Sequence, residues 1–510
     1  MIRQLYKITL IFILSIWLLA CQQATDDCSG ENCDISNSLS RLPVVGLVQN
    51  KTIPILIKAA NKGRARVEYR KTDDDRTMLS PWFELIEAND YTANLNLIDI
   101  ADNEAYQYRV EFSAGDYSPW YEFTSFPKVG SPGKFSFVFS ACLREKYLSY
   151  DIFSQIRSLS PTFVALTGDQ MYADYDGNLN LLESYLSNDK LRQSMIAEGK
   201  TVLQDKTVLA AFRSKYARNF GTAYQNLSSH IPMLAMWDDH DFGKDNSDGT
   251  YPYKQQARKA FVENFPANPY VEENKGLYYR FSVADVDIFV LDTRWYRSPM
   301  QNEDNKDKHM LGPKQLSWLL AGLKASNSKM KLIFSSVSLN DYGGDTSSDR
   351  PGFDNWAGFK YERNLILSYI KNNDVNGVLF FSGDQHYPSA YIINKKASLK
   401  PLMRAEKFVE YAGKDVGTAV FDFSASPLSY EKASVRALDP ANHFSYEIFR
   451  PEWAYPQPGN KKDAPKVVGS VYGVAEIDTT TSPATASIKF YELNTQSMEM
   501  EEIFHTKINM

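Results

Sequence analysis

From residue 135 onward the chain alternates short apolar runs with segments of helical spacing, and the runs end in polar residues with chemical potential. Phe135 to Phe139 ends at Ser140-Ala141-Cys142, and Thr162 to Thr167 ends at Gly168-Asp169. Met233 to Met236 ends at Trp237-Asp238-Asp239-His240, and Val286 to Leu291 ends at Asp292-Thr293-Arg294. Leu332 to Phe334 leads to Ser338-Leu339-Asn340-Asp341, and Val378 to Phe381 ends at Gly383-Asp384. Runs this short and this uniformly apolar are strands covered on both faces. Leu316 to Leu323 and Arg363 to Ile370 have helical spacing, as do the stretches around Leu179 to Met195 and Lys206 to Phe220. Strands alternating with helices predict an α/β domain. Near the C-terminus, Gly469 to Ala475 and Ala484 to Tyr491 return to alternation and predict strands that close a sheet.

The pattern before residue 129 differs. Pro54 to Lys58, Ala65 to Tyr69 and Tyr106 to Phe112 alternate apolar and polar positions, with turn residues between them. That is the signature of a small β-sandwich over residues 41–128. Val129-Gly130-Ser131-Pro132-Gly133 reads as the linker to a second domain over 129–510. Residues 21–40 are polar and read as a tether. Residues 1–20 hold Arg3, Lys7 and an apolar run from Ile8 to Leu19, the layout of an export signal. Leu18-Leu19-Ala20-Cys21 resembles the lipobox of bacterial lipoproteins, which implies a lipidated Cys21. An ordinary signal peptide or a weak anchor is the alternative. Gln22, not Asp, follows the cysteine, and by resemblance to Gram-negative sorting that implies the outer membrane.

Length and composition add limits. A chain of 510 residues exceeds one ordinary core, so two domains are expected. Net charge is −6 with no compensating basic stretch, which argues against a nucleic-acid partner. Cys28 and Cys33 lie close together in the tether and form a disulfide or remain free thiols; Cys142 has no partner.

The donor types at the strand ends then narrow the chemistry. Gly-Asp-Gln occurs twice, at 168–170 and 383–385, followed by Tyr172 in one case and His386 in the other. Carboxylate, phenolate, thiolate and imidazole donors at the carboxyl ends of strands suit metal ions: Fe³⁺ for the thiolate and phenolate set, and Ca²⁺, Mg²⁺ or Mn²⁺ for Asp and Asn oxygens.

At these residues the chain resembles the PhoD-type alkaline phosphatases, a branch of the calcineurin-like metallophosphoesterases. The matching blocks are Phe139 to Cys142, Leu166 to Tyr172, Trp237 to Gly243, Leu291 to Arg294, Leu311 to Leu319 and Ser382 to His386, in the family's order. The resemblance implies a four-layer αββα sandwich with a small N-terminal β domain. General metallophosphoesterases open with Asp-x-His; here Ser140-Ala141-Cys142 stands in that place, and PhoD-type proteins use the cysteine as a ligand. The resemblance further implies Asp169 as a bridging carboxylate and Tyr172 as a phenolate ligand. It puts His386 on the metal of Cys142 and Asp384 on the other. His240 would contact the phosphoryl oxygens or protonate the leaving group. Asp239 stands where the general family has Asn, and Asn246 fits a later Asn of PhoD-type members. Both stay candidate ligands, with Asn246 preferred. Arg144 and Arg294 could clamp a phosphate, and a structural ion pair is the alternative for Arg294. His230, His309, His443 and His505 fall outside the ligand blocks.

The implied function is an exported, lipid-anchored, monomeric hydrolase of phosphate esters, using Fe³⁺ and a divalent cation, with Ca²⁺ first. A dimetal-bound hydroxide would attack the ester directly. A phosphodiesterase or phospholipase-D-like activity on the same core is the first alternative, and a non-catalytic surface-binding lipoprotein the second. Trp453, Tyr455 and Pro456 are expected to shape access.

Overall fold

The computed structural model describes residues 37–147, 151–175, 205–341, 354–393, 399–413, 415–432, 445–454 and 468–510. The signal and most of the tether, Cys21, Cys28, Cys33, the helical stretch Leu179 to Met195, His443, Tyr455 and Pro456 lie outside them.

Alternation along the strands builds the layers. In Lys134–Ser140, Phe135, Phe137 and Phe139 point into one core while Val138 points into another. Phe163–Thr167 repeats this, with Phe163 and Ala165 on the first side and Val164 and Leu166 on the second. Leu332 and Phe334 of Met330–Phe334, and Leu379 and Phe381 of Val378–Ser382, enter that same first core from a second sheet. Their neighbours Ile333 and Phe380 face a third cluster with Leu319, Leu323, Ile366 and Ile370. Period-2 geometry with both faces buried therefore gives two sheets packed face to face and helices on each outer face. Aromatic rings interlock within and between the sheets: Phe137 stacks on its strand neighbour Phe163 at 4.9 Å and meets Phe381 of the other sheet edge-on at 4.9 Å.

Among the described residues one sheet has eight strands and the other seven. In the first, Phe163–Thr167 pairs in parallel with Lys134–Ser140 and with Met233–Met236. Val471–Asp478 joins antiparallel beside Lys134–Ser140, then Thr485–Asn494, Glu499–Asn509 and Phe408–Tyr411 follow. In the second, Val286–Val290, Met330–Phe334, Val378–Ser382 and Val420–Ser424 run parallel. The helices Asp205–Asn219 and Gly312–Ala325 cover opposite outer faces. The latter starts with Pro at its first turn, where a missing N–H costs nothing.

The N-terminal domain is two small sheets, Leu39–Val45/Ile53–Ala59/Thr92–Leu97 and a five-stranded one centred on Gly63–Lys71 and Ala105–Phe112. They enclose their own core of Ile55, Val67, Tyr69, Leu95 and Tyr108. The first strand begins at Leu39, two residues inside the segment read as a tether that ran to 40. Polar bonds dock this domain on the helical layer: Arg41 donates to Asn264 Oδ1 at 2.7 Å, and the Tyr108 hydroxyl to the Ser229 carbonyl at 2.8 Å.

The two Gly-Asp tripeptides now have a packing reason. Gly168 has φ +116°, and a Cβ there would lie 2.6 Å from Asp238 Cβ. A Cβ on Gly383 would lie 2.4 Å from Ala141 Cβ and 3.0 Å from the Thr167 carbonyl. The strand ends of the two sheets converge so closely that only glycine fits. Gly383→Ala is expected to destabilise by about 1–3 kcal/mol through overpacking, read as a lower denaturant midpoint at unchanged slope.

Candidate metal centre

The parallel strands of both sheets end at one edge, and the loops leaving them carry the candidate side chains. Several of these residues hold left-handed backbone: Cys142 at φ 63°, Asp169 at 54°, Asn246 at 59°, Asp384 at 67° and His386 at 59°. Such conformations cost of order 1–3 kcal/mol each for residues other than glycine and persist only where the surroundings enforce them. The enforcement is visible. The amide of Cys142 donates to the Gly168 carbonyl at 3.2 Å and that of Leu143 to the Asp169 carbonyl at 2.8 Å. Asn219, at the end of its helix, donates from one amide nitrogen to the carbonyls of Leu143 and Gln170.

Donor atoms of Cys142, Asp169 and His386 lie within 4.8 Å of one another, and so do those of Asp169, Asp238, Asp239 and Asp384. Asp169 belongs to both groups. The Cys142 thiol is 3.7 Å from Asp169 Oδ2, and the Tyr172 hydroxyl is 3.4 Å from His386 Nε2. Cys142, Asp169, Tyr172, Asp238 and Asp239 are all at least 97% buried. Burial first, and neighbouring carboxylates second, push the Asp169 carboxyl and the Cys142 thiol well above their ordinary values. The Asp384 carboxyl moves the same way for the same reasons. Asp238 Oδ2 and Asp239 Oδ1 have no hydrogen-bond partner. Buried acids crowded together with orphaned oxygens demand positive charge. A thiol, a phenol, an imidazole and four carboxylates fit metal cations as that charge.

His240 sits at the side of this cluster, a ring nitrogen within 4.8 Å of oxygens of Asp169 and Asp239. Its Nδ1 donates to Asp174 Oδ1 at 2.6 Å, and Asp174 Oδ2 accepts the Asp245 amide at 2.9 Å. That leaves Nε2 as the nitrogen not committed to Asp174. Burial opposes the charged ring, but Asp239, Asp174 and Asp169 outweigh it and raise the His240 pKa well above the ordinary value.

Asn246 reaches Asp239 through its main chain, its amide donating to Asp239 Oδ2 at 2.6 Å. Its side chain donates to Asp245 at 3.2 Å. Asp239 lies within the donor cluster, with Asn246 bonded to it, so both stay candidate ligands. Arg144 is nearly buried and lies against Tyr175, Tyr147 and Tyr430.

Arg294 is a correction. It is fully buried, donates to Asp238 Oδ1 at 2.5 Å and to both oxygens of Asp354 at 3.1 and 2.6 Å, and lies 3.6 Å from Asp239. A guanidinium committed in this way has no fork to offer a phosphate. These bonds favour the structural ion pair over the phosphate clamp. Two of the six strand ends also stay out of the cluster. Asp292 accepts the amides of Leu277, Arg294 and Trp295, and Asp341 pairs with Arg363 at 2.7 Å. His230, His309 and His505 bond elsewhere, to Ser229, Glu362 and Ser487.

Sequence reasoning left several participants without roles. Asp238 was visible in the Asp238-Asp239-His240 block, and Asp174 stands two residues after Tyr172. Tyr430 and Asp354 carry no local signal. Tyr430 arrives on the segment after Val420–Ser424, whose Leu428 and Ser429 amides donate to the carbonyls of Ala141 and Cys142. Its ring stacks on Tyr172 at 4.7 Å.

The architecture is the metallophosphoesterase fold. It superposes on a solved structure described as that of PhoD with TM-score 0.65 at 14% identity, over 91% of this chain and 93% of the other. A purple acid phosphatase from yellow lupin (Lupinus luteus) seeds matches with TM-score 0.56 at 11% identity, over 92% of this chain and 74% of that one. The model of the PhoD-like phosphatase family matches residues 137–455, and the chain belongs to that family. It is similar to alkaline phosphatase D of Bacillus subtilis (strain 168), 25% identical over 316 residues, which are 56% of this chain and 51% of the relative. The chain thus matches about half the length of that curated relative.

Proposed function

We propose that this protein is a metal-dependent phosphohydrolase that cleaves phosphate esters at the convergent strand ends. The observation that carries this reading is the pair of overlapping donor groups that share Asp169. Cys142, Asp169, Tyr172 and His386 would hold one ion, and their thiol and phenol suit Fe³⁺. Asp169, Asp239 and Asp384 would hold a divalent ion such as Ca²⁺, Mn²⁺ or Mg²⁺, with Asp238 and Asn246 close behind. Ions so placed supply Lewis-acid activation of water and of the phosphoryl group. The protein's own groups do the rest. Asp174 fixes the His240 ring, and the nitrogen not bound to Asp174 delivers a proton to the departing oxygen. Arg144 contributes positive charge at the margin of the site. Arg294 keeps the Asp238 carboxylate oriented without touching substrate.

The test is metal analysis paired with assays on p-nitrophenyl phosphate and bis(p-nitrophenyl) phosphate. The expected result is iron plus a second metal, a visible charge-transfer band and turnover of at least one ester. A colourless, metal-free preparation that stays inactive on both after Fe and Ca addition would sink the reading and favour the non-catalytic one. The ratio of the two rates assigns monoester or diester preference. His240→Asn should cost about 10²–10⁴-fold in kcat with an alkyl leaving group. The loss should be much smaller with p-nitrophenolate, which leaves without a proton. Equal losses on both would remove the proton-donor role.

Arg3, Lys7, the Ile8–Leu19 run and Cys21 support export and lipid anchoring, and Gln22 after the cysteine supports the outer membrane. Cys21→Ser should move the protein from the membrane to the soluble fraction. Continued membrane association would contradict the anchor.

A further inference from the structure

Beside the donor cluster stands a group of rings around Arg144 that the reaction above leaves largely unused. The Arg144 guanidinium lies 4.6 Å from the centre of the Tyr175 ring, 5.5 Å from Tyr147 and 5.6 Å from Tyr430. It also contacts the Tyr430 hydroxyl at 3.4 Å. Tyr172 and Tyr175 both lie against the His240 imidazole, with ring centres at 4.2 and 5.4 Å. Exposure separates the rings. Tyr172 and Tyr430 are 1% and 8% exposed, Arg144 6%, but Tyr175 is 36% exposed. Tyr172 and Tyr430 are therefore wall, while Tyr175 lies beside the histidine and is 36% exposed.

The position of His240 gives that exposure a use. If its free nitrogen protonates the departing oxygen, the group attached to that oxygen must lie next to the His240 ring. Among the described residues, the accessible side chain whose ring contacts His240 is Tyr175. A cation over an aromatic ring holds it in place and adds to the attraction of a second flat ring. Resting on the phosphohydrolase reading, we propose that Tyr175, braced by Arg144 and flanked by Tyr147, forms a leaving-group subsite. It selects planar aromatic leaving groups, aryl or heteroaryl, over saturated ones of the same size.

The experiment uses the full, metal-loaded protein with phenyl phosphate and cyclohexyl phosphate, and compares wild type with Tyr175→Leu and Tyr175→Phe. Loss of one stacking partner corresponds to about 10- to 100-fold. Tyr175→Leu is expected to lower kcat/KM for phenyl phosphate by that factor and to change the cyclohexyl ester by less than about 3-fold. Tyr175→Phe should keep the aryl preference. Equal losses on both esters, or no loss on either, would overturn the subsite. A second readout needs no turnover: calorimetric binding of phenylphosphonate against cyclohexylphosphonate. Wild type should prefer the phenyl compound, and Tyr175→Leu should abolish the preference. Equal binding of the two by wild type overturns the subsite without any variant. If wild type hydrolyses neither ester and also neither p-nitrophenyl phosphate nor bis(p-nitrophenyl) phosphate, the phosphohydrolase reading fails. Ring-selective, Tyr175-dependent binding would then still establish the aryl site, and its absence would remove it.

Discussion

Asp169→Asn is expected to remove metal binding and to lower turnover by about 10³-fold or more, because on the proposed reading Asp169 would help hold ions that would supply several kcal/mol of charge stabilisation. The same variant is expected to be more stable than wild type once both are stripped of metal. Asp169 is buried, shares donor groups with Asp238, Asp239, Asp384 and Cys142, and has a carboxyl pKa raised well above its ordinary value, chiefly by desolvation. A carboxyl whose folded pKa exceeds its unfolded one binds more protons when folded. Its favourable contribution is present below the unfolded carboxylate range and is lost as pH rises through the folded value. Chelated wild type should therefore unfold at lower denaturant at pH 8 than at pH 5, and Asp169→Asn should flatten part of that slope. Retained activity or retained metal would overturn the bridging role. Lost activity with lowered metal-free stability would instead make Asp169 a structural residue.

Arg294→Leu is expected to cost about 3–5 kcal/mol of stability, the usual consequence of stranding buried charges. The guanidinium has no exposure and binds Asp238, Asp354 and the Ser247 carbonyl, and it approaches Asp239. Burial lifts the Asp238 carboxyl to about 6 even with Arg294 opposing the shift, so the acid depends on its partner. Arg294→Lys should lose less, since it keeps the charge but not the fork. Thermal melts and phosphate-ester kinetics separate this from a substrate clamp. A structural pair predicts a large fall in Tm. A clamp predicts an unchanged Tm and a raised KM.

The legible parts of this protein share one property: each rests on local pattern. Short, mostly apolar runs marked Lys134–Ser140, Phe163–Thr167, Met233–Met236, Val286–Val290, Met330–Phe334 and Val378–Ser382, because a strand covered on both faces has little room for a polar side. Helical spacing marked Asp205–Asn219 to within a residue at each end and the cores of Gly312–Ala325 and Lys360–Asn372, whose ends ran several residues further. Ser389–Ile393, Val420–Ser424 and Ser445–Phe449 escaped notice, as did the strand Phe408–Tyr411. Their places come from pairing across the sheets, which a linear pattern does not encode.

The candidate site divides the same way. Cys142, Asp169, Tyr172, Asp239, His240, Asp384 and His386 follow apolar runs and so announce themselves. Asp174, Asp354, Tyr175 and Tyr430 do not, since each matters through a neighbour far away in sequence or across a loop. Arg294 shows the converse. It stands at a strand end like the ligands, yet three acids claim it.

By itself the sequence determined the layer type, the family and the set of strand-end donors, because hydrophobic period and donor chemistry are local properties. Only the tertiary structure decided which ends converge, since that depends on the register of two sheets packed through Phe137, Phe163 and Phe381. It also decided that Asp169 is shared by both donor groups while Asp292 and Asp341 are spent on loops and ion pairs. The physical reason is that a charge acts through distance and burial, and both are set by the fold.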